Sequence, residues 1–101
     1  MNIDTTRAFI LYAYCTVIYD GRACSTLAEG RYLIIYKKDG SIMIHGADSL
    51  TPRNYMGSKS RLTIDQNILT FIRKGEKCII TVTEVVSLTY LDNWSEAKTQ
   101  V

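Results

Sequence analysis

Turn signals recur at short intervals along this chain, and that spacing constrains the fold more than any other feature. Asp20-Gly21, Glu29-Gly30, Asp39-Gly40, Gln66-Asn67 and Lys74-Gly75-Glu76 punctuate the sequence. Such pairs combine side chains that bond their own backbone with residues that tolerate a positive φ. The runs between them are short and rich in β-branched and aromatic residues, which suit a pleated, half-buried surface.

Ala8–Tyr19 is apolar throughout. Periodicity alone fits helix or strand there, but Ile10, Tyr12, Tyr14, Thr16, Val17, Ile18 and Tyr19 favour a strand. Arg22–Leu27 is a short second strand, with Glu29-Gly30 as the turn after it. Arg31–Tyr36 and Ser41–His45 form a hairpin over Lys37-Lys38-Asp39-Gly40. Gly46–Ser60 is a long loop that holds the only proline, Pro52, which stiffens the approach to Arg53. Arg61–Asp65 and Ile68–Arg73 form a second hairpin. Lys77–Val86 is the last strand, with Cys78, Ile80 and Val82 on one face. Six or seven short strands predict an all-β fold, a small antiparallel barrel or sandwich whose closure hides its edges. Residues 1–101 make one domain, with a core over 8–87 and a tail over 88–101. Met1–Arg7 is expected to fray, and Asn93-Trp94-Ser95-Glu96 has the form of a capping box for a short C-terminal helix.

A chain of 101 residues buries roughly 60–70% of the surface it exposes when unfolded, enough for one core. Apolar residues at 47% and charged residues at 22% exclude a disordered chain. A net charge of +2 is lower than a broad phosphate-binding surface usually carries, so a nucleic-acid footprint is expected to be local. Cys15, Cys24 and Cys78 are odd in number and lack metal-ligand spacing, and they are read as free thiols of a reducing cytosol, with an intermolecular disulfide as the alternative. No charged-then-apolar leader and no span-length apolar run is present, which predicts a cytoplasmic protein without membrane contact.

That local footprint has a candidate. Arg53, Asn54 and Tyr55 stand side by side, followed by Lys59 and Arg61. A cation holds phosphate, an amide pairs with a base edge, and a ring stacks on the base. From Arg53 to Lys77 there are six cations and two anions, a net of +4 against +2 for the whole chain. Arg22 and Arg53 are the candidate phosphate clamps, with Tyr55 as the stacking platform. The competing reading is a solvated loop whose tyrosine packs on the barrel. Tyr12, Tyr14, Tyr19, Tyr32 and Tyr36 lie in strands and belong to the core or a subunit interface.

Catalysis finds little support. The single histidine, His45, closes a strand beside Gly46, and the ten carboxylates are scattered, several of them in turns. Glu84 alone sits in an apolar run, where it faces water or pairs with an arginine. No Asp…Glu-x-Lys pattern for Mg²⁺, no phosphate-binding glycine loop and no zinc spacing occur. The expectation is a chain without catalytic residues, metal or cofactor.

The order of several short motifs resembles a known family. Arg22-Ala23 after a Tyr-x-Gly turn is followed by Leu27-x-Glu29-Gly30-x-x-Leu33-Ile34-Ile35. Then come Lys38-x-Gly40-Ser41-Ile42-x-Ile44-His45, Pro52-x-Asn54-Tyr55 and Thr83-Glu84-Val85. From about Leu11 to Ser87 the chain is similar to the N-terminal domain of the NucS (EndoMS) endonucleases. The resemblance implies a half-open β-barrel that forms a homodimer and holds single-stranded DNA or bases flipped from mismatches. It also implies DNA contact for Arg22 and Asn54, and base stacking at Tyr55, where the family usually carries Trp. Tyr keeps a π-face but a smaller one. The family's RecB-like nuclease domain and sliding-clamp-binding tail have no counterpart here. The resemblance therefore implies a DNA-gripping half, either a stand-alone domain or a piece of a longer protein, with a nuclease subunit as a further candidate partner.

Overall fold

A computed structural model describes residues 1–97. Seven strands form a single antiparallel sheet, curled into a half-barrel, in the order β4-β3-β2-β1-β7-β6-β5. They are β1 (Phe9–Asp20), β2 (Cys24–Tyr36), β3 (Ile42–His45), β4 (Asn54–Met56), β5 (Arg61–Asp65), β6 (Ile68–Arg73) and β7 (Glu76–Tyr90).

Alternation decides which face is buried. On β1, Phe9, Leu11, Ala13, Cys15, Val17 and Tyr19 point into the core while the intervening residues are half-buried or exposed. On β7, Cys78, Ile80 and Val82 do the same, as their spacing predicts. Phe9, Phe71, Ile34, Ile42, Ile44, Leu69 and Met56 fill the interior. The ring of Tyr36 packs 5.3 Å from Phe9 and 5.7 Å from Phe71, measured between centroids. Glu84 is exposed.

Four expectations need correction. First, Glu29-Gly30 is not a turn. β2 runs straight through it, and the register slips between Cys15 and Val17, whose partners are Gly30 and Leu27. The extra β2 residue makes a bulge, a common use of glycine inside a strand. The Tyr32 hydroxyl donates to the Ala28 carbonyl at 2.7 Å, and its ring lies where a side chain at position 30 would meet it at 3.5 Å.

Second, Asn54 and Tyr55 lie in a strand rather than a loop: β4 pairs with β3 through Ile44↔Asn54, Met43↔Tyr55 and Ile42↔Met56. Third, Met1–Arg7 docks instead of fraying. Ile3 is buried, the Asp4 amide donates to the Tyr90 hydroxyl at 2.9 Å, and Arg7 pairs with Asp92 while lying 3.9 Å from the Tyr90 ring centroid. Fourth, residues 93–97 contain no helix. Asn93 takes φ +58 in the turn that follows β7, and the Trp94 ring centroid lies 5.6 Å from the Lys37 ammonium. The rest of the tail lies outside the described residues.

β7 also runs to Tyr90, four residues past the predicted end, because β1 supplies partners for Ser87, Leu88, Thr89 and Tyr90. Register slips against β1 between Tyr12 and Ala13 and between Tyr14 and Cys15 curl the sheet. The curl brings the edge strands together. β4 and β5 are joined by only Gly57–Ser60, and that segment is held at its middle: Lys59 N–H donates to Asp39 O at 2.6 Å, and Arg73 Nε to Ser58 O at 2.8 Å.

Candidate nucleic-acid interface

The site begins at the β1–β2 loop. Gly21 is required there, because a Cβ would sit 2.6 Å from the Tyr19 hydroxyl. With that space free, the buried Tyr19 reaches Glu76 and donates to Oε1 at 2.6 Å. The same hydroxyl accepts from the Arg22 backbone N–H and from Nε, both at 3.4 Å. Glu76 is itself buried and opens β7, with Arg73 Nη1 at 2.9 Å from Oε2 and Arg22 Nε at 3.6 Å from Oε1. The Tyr19 hydrogen bond, then Arg73 and Arg22, hold the Glu76 carboxyl below its usual range. One buried carboxylate therefore orients two arginines.

Arg22 is largely exposed, and its guanidinium carbon lies 5.1 Å from the centroid of the Tyr55 ring. That is cation–π range. Tyr55 is half-exposed because alternation along β4 turns it away from the core, while Asn54 and Met56 point inward. Asn54 Oδ1 accepts from Ser25 Oγ at 3.0 Å. Its Nδ2 is buried and has no partner among the described residues.

The six predicted residues do not form one cluster. Arg22 and Tyr55 are in contact, and Asn54 is tied to the adjoining start of β2 through Ser25. Arg53 is exposed, its backbone N–H bonded to Ile44 O at 2.8 Å and its stem running past Gly46. Lys59 belongs to a separate cleft lined by Ser58, Arg73 and Lys74. Arg61 opens β5, exposed, opposite Ile72. Sequence reasoning missed Tyr19, Ser25 and Glu76, and counted Arg73 only as one of the six cations between Arg53 and Lys77. Glu76 looked like an ordinary turn residue, and nothing local distinguishes it.

The remaining chemistry-bearing groups are placed as follows. Cys15 and Cys78 are buried, and burial pushes their thiols up to about 11 and about 12, which makes them poor nucleophiles. Cys24 is exposed. His45 lies on the outer face in a hollow with Tyr12, Arg31 and Leu33. Among the described residues no three His, Cys, Asp or Glu side chains converge, and no helix is long and apolar enough to cross a membrane.

Comparison with known proteins places this geometry in a family. Residues 5–96 match the family model described as the endonuclease NucS N-terminal PH-like domain. The chain belongs to the NucS family. It is similar to endonuclease NucS of Pyrococcus furiosus, 42% identical over 67 residues that make up 66% of this chain and 25% of that protein. Endonuclease NucS of Streptomyces avermitilis is 36% identical over 83 residues, 76% of this chain and 37% of that protein. Two solved NucS-type structures share the fold. An EndoMS–double-stranded DNA complex superposes with a TM-score of 0.83 at 29% identity, covering 96% of this chain and 43% of that one. A repair endonuclease from Pyrococcus abyssi superposes with a TM-score of 0.80 at 31% identity, covering 92% and 43%. The chain thus spans between 25% and 43% of the length of these relatives, and the part it matches is their N-terminal domain rather than the nuclease domain.

Proposed function

We propose that this chain is a non-catalytic DNA-binding and dimerisation module that grips single-stranded DNA or bases flipped out of mismatches. The observation that carries the reading is Arg22 set over the exposed ring of Tyr55, beside an inward amide, Asn54, that has a donor to spare. A base can stack on Tyr55, its phosphate can draw Arg22 off the ring, and Asn54 can donate to a base acceptor after a small shift of β4. Arg53, Lys59 and Arg61 then supply backbone contacts along the neighbouring surface. The likeness to an EndoMS–DNA complex supports this assignment.

Dimerisation rests on the outer sheet face. Ile10, Tyr12 and Tyr14 of β1 alternate with the core residues and are only half-buried, and Leu33 and Ile35 of β2 stand opposite Tyr12 and Ile10. A second copy, or a full-length nuclease subunit with the same barrel, would cover this apolar strip.

Fluorescence anisotropy with labelled single-stranded and mismatched DNA tests the main reading. Salt-sensitive binding is expected, with a log–log slope near roughly −2 for about three phosphate contacts on a single strand. No binding at low ionic strength would overturn it.

A further inference from the structure

A second cationic feature lies on the far side of Glu76 from Arg22. Ser58, Lys59, Arg73 and Lys74 line a cleft of about 220 Å³ between the segment joining the edge strands and the β6–β7 turn. Arg73 differs from a loose surface cation. Its Nε donates to Ser58 O at 2.8 Å and its Nη1 to Glu76 Oε2 at 2.9 Å. Its guanidinium lies against Gly57, where a Cβ would come within 3.3 Å of Nη2. The fork is fixed before any ligand arrives, yet the side chain remains 39% exposed. Of its five N–H donors, the remaining three have no protein acceptor among the described residues. Lys59 is set by its backbone, at φ 70 with its N–H bound to Asp39 O. Lys74 closes the other wall just before Gly75, which takes φ +75. No carboxylate lines the cleft.

A pre-set guanidinium fork flanked by two ammonium groups suits an anion with several oxygens. We propose that this cleft seats a phosphodiester of the same nucleic-acid strand whose base lies at Tyr55. Glu76 links the two places, with Arg22 at one carboxylate oxygen and Arg73 at the other. The proposal rests on the DNA-binding reading and extends the contact surface to Arg73 and Lys74, which that reading does not include.

The test uses Lys74→Glu and Lys74→Gln with a single-stranded oligonucleotide carrying 2-aminopurine. Lys74 is exposed and has no hydrogen-bond partner among the described residues, so the melting temperature should not move. Lys74→Gln is expected to flatten the log–log salt slope by roughly 0.7, the loss of one phosphate contact on a single strand. Lys74→Glu should weaken binding about tenfold at low salt. The quenching of 2-aminopurine at saturation should stay as in the wild type, because the Tyr55 end is untouched. Wild-type binding with an unchanged slope and affinity in Lys74→Glu would overturn the phosphate seat alone. Absence of wild-type DNA binding would overturn the underlying reading and this one with it. Inorganic phosphate, matched for ionic strength with chloride, is expected to displace no more oligonucleotide than chloride does. Stronger displacement by phosphate would reassign the cleft to small anions and overturn the strand assignment.

Discussion

Tyr19 and Glu76 are 57 residues apart in the chain and meet at 2.6 Å, the phenol donating to the carboxylate. Both are buried, and the pair holds the β1–β2 loop against the start of β7. Glu76→Gln keeps the shape but removes the charge that Arg22 and Arg73 face. Urea unfolding should show a loss of about 1–3 kcal/mol. Tyr19→Phe should cost about 1 kcal/mol, and the double variant should cost less than the two losses together, since Tyr19→Phe removes the bond and Glu76→Gln weakens the same one by taking the charge off its acceptor. Strict additivity would mean that the two groups act independently.

The same carboxylate sets part of the acid sensitivity. Its folded pKa lies below its ordinary value of 4.5, chiefly through the Tyr19 hydrogen bond and then through Arg73 and Arg22. A depressed carboxylate contributes stability above its unfolded pKa and loses it as pH falls through the folded one. Asp39 is lowered as well, by the Ser41 hydroxyl and amide. Wild-type stability should therefore drop as pH falls below about 4.5, and Glu76→Gln should drop less steeply over the same window. Parallel curves for the two proteins would remove Glu76 from the account.

Tyr55 is 52% exposed, so its removal leaves the core intact. One base stack contributes roughly 1–3 kcal/mol. Tyr55→Ala should therefore weaken DNA binding by about 5–150-fold in anisotropy, with little change in melting temperature. Tyr55→Trp enlarges the π-face and should tighten binding by less than about tenfold. Unchanged affinity in Tyr55→Ala would remove the stacking platform.

Gly40 is buried at φ +87, and a Cβ there would lie 2.9 Å from both the amide nitrogen and the carbonyl oxygen of Ser60. Those atoms are backbone and cannot swing away. Gly40→Ala should cost at least about 1–2 kcal/mol in local strain. It should also push Ser60 and the preceding Lys59 outward, so calorimetry should show a lower melting temperature and DNA binding should weaken. A variant as stable as the wild type would show that the turn can relax.

Dimerisation has its own check. Tyr12 lies between Leu33 and Ser87 on the outer face of the sheet, so Tyr12→Glu puts a charge into the proposed contact without entering the core. Light scattering after size exclusion should show a dimer for the wild type and a monomer for the variant. A wild-type monomer at all accessible concentrations would end the dimer reading.

Much of the fold is legible in the sequence where local chemistry and tertiary pairing agree. Asp39-Gly40 works because Asp39 bonds the Ser41 amide and hydroxyl while Gly40 supplies the positive φ. Gln66-Asn67 works because Gln66 takes φ +55 and Asn67 Nδ2 ties back to Val82 O. Glu29-Gly30 carries the same local signal, but the long register with β1 overrides it and turns it into a bulge. β4 is invisible for a different reason. Three residues after a proline have no period, and only β3 makes them a strand. For the site, Arg22, Asn54 and Tyr55 are readable as residue types suited to a base. That Arg22 is held by Glu76 depends on contacts across more than fifty residues, which no local pattern records.

The position of β1 and β7 at the centre of the sheet has a kinetic consequence. They are the first and last strands of the chain, yet they pair along their whole lengths, from Phe9↔Tyr90 to Asp20↔Lys77. The hairpins can form early from local contacts, but the central seam has to wait until the 55 residues between β1 and β7 have been gathered in. Topologies dominated by such distant pairings fold in milliseconds to seconds rather than microseconds. On the ribosome, the barrel cannot close until Tyr90 has left the exit tunnel. Until then β1 keeps an open edge flanked by apolar side chains, and that is the interval in which the chain is most exposed to aggregation.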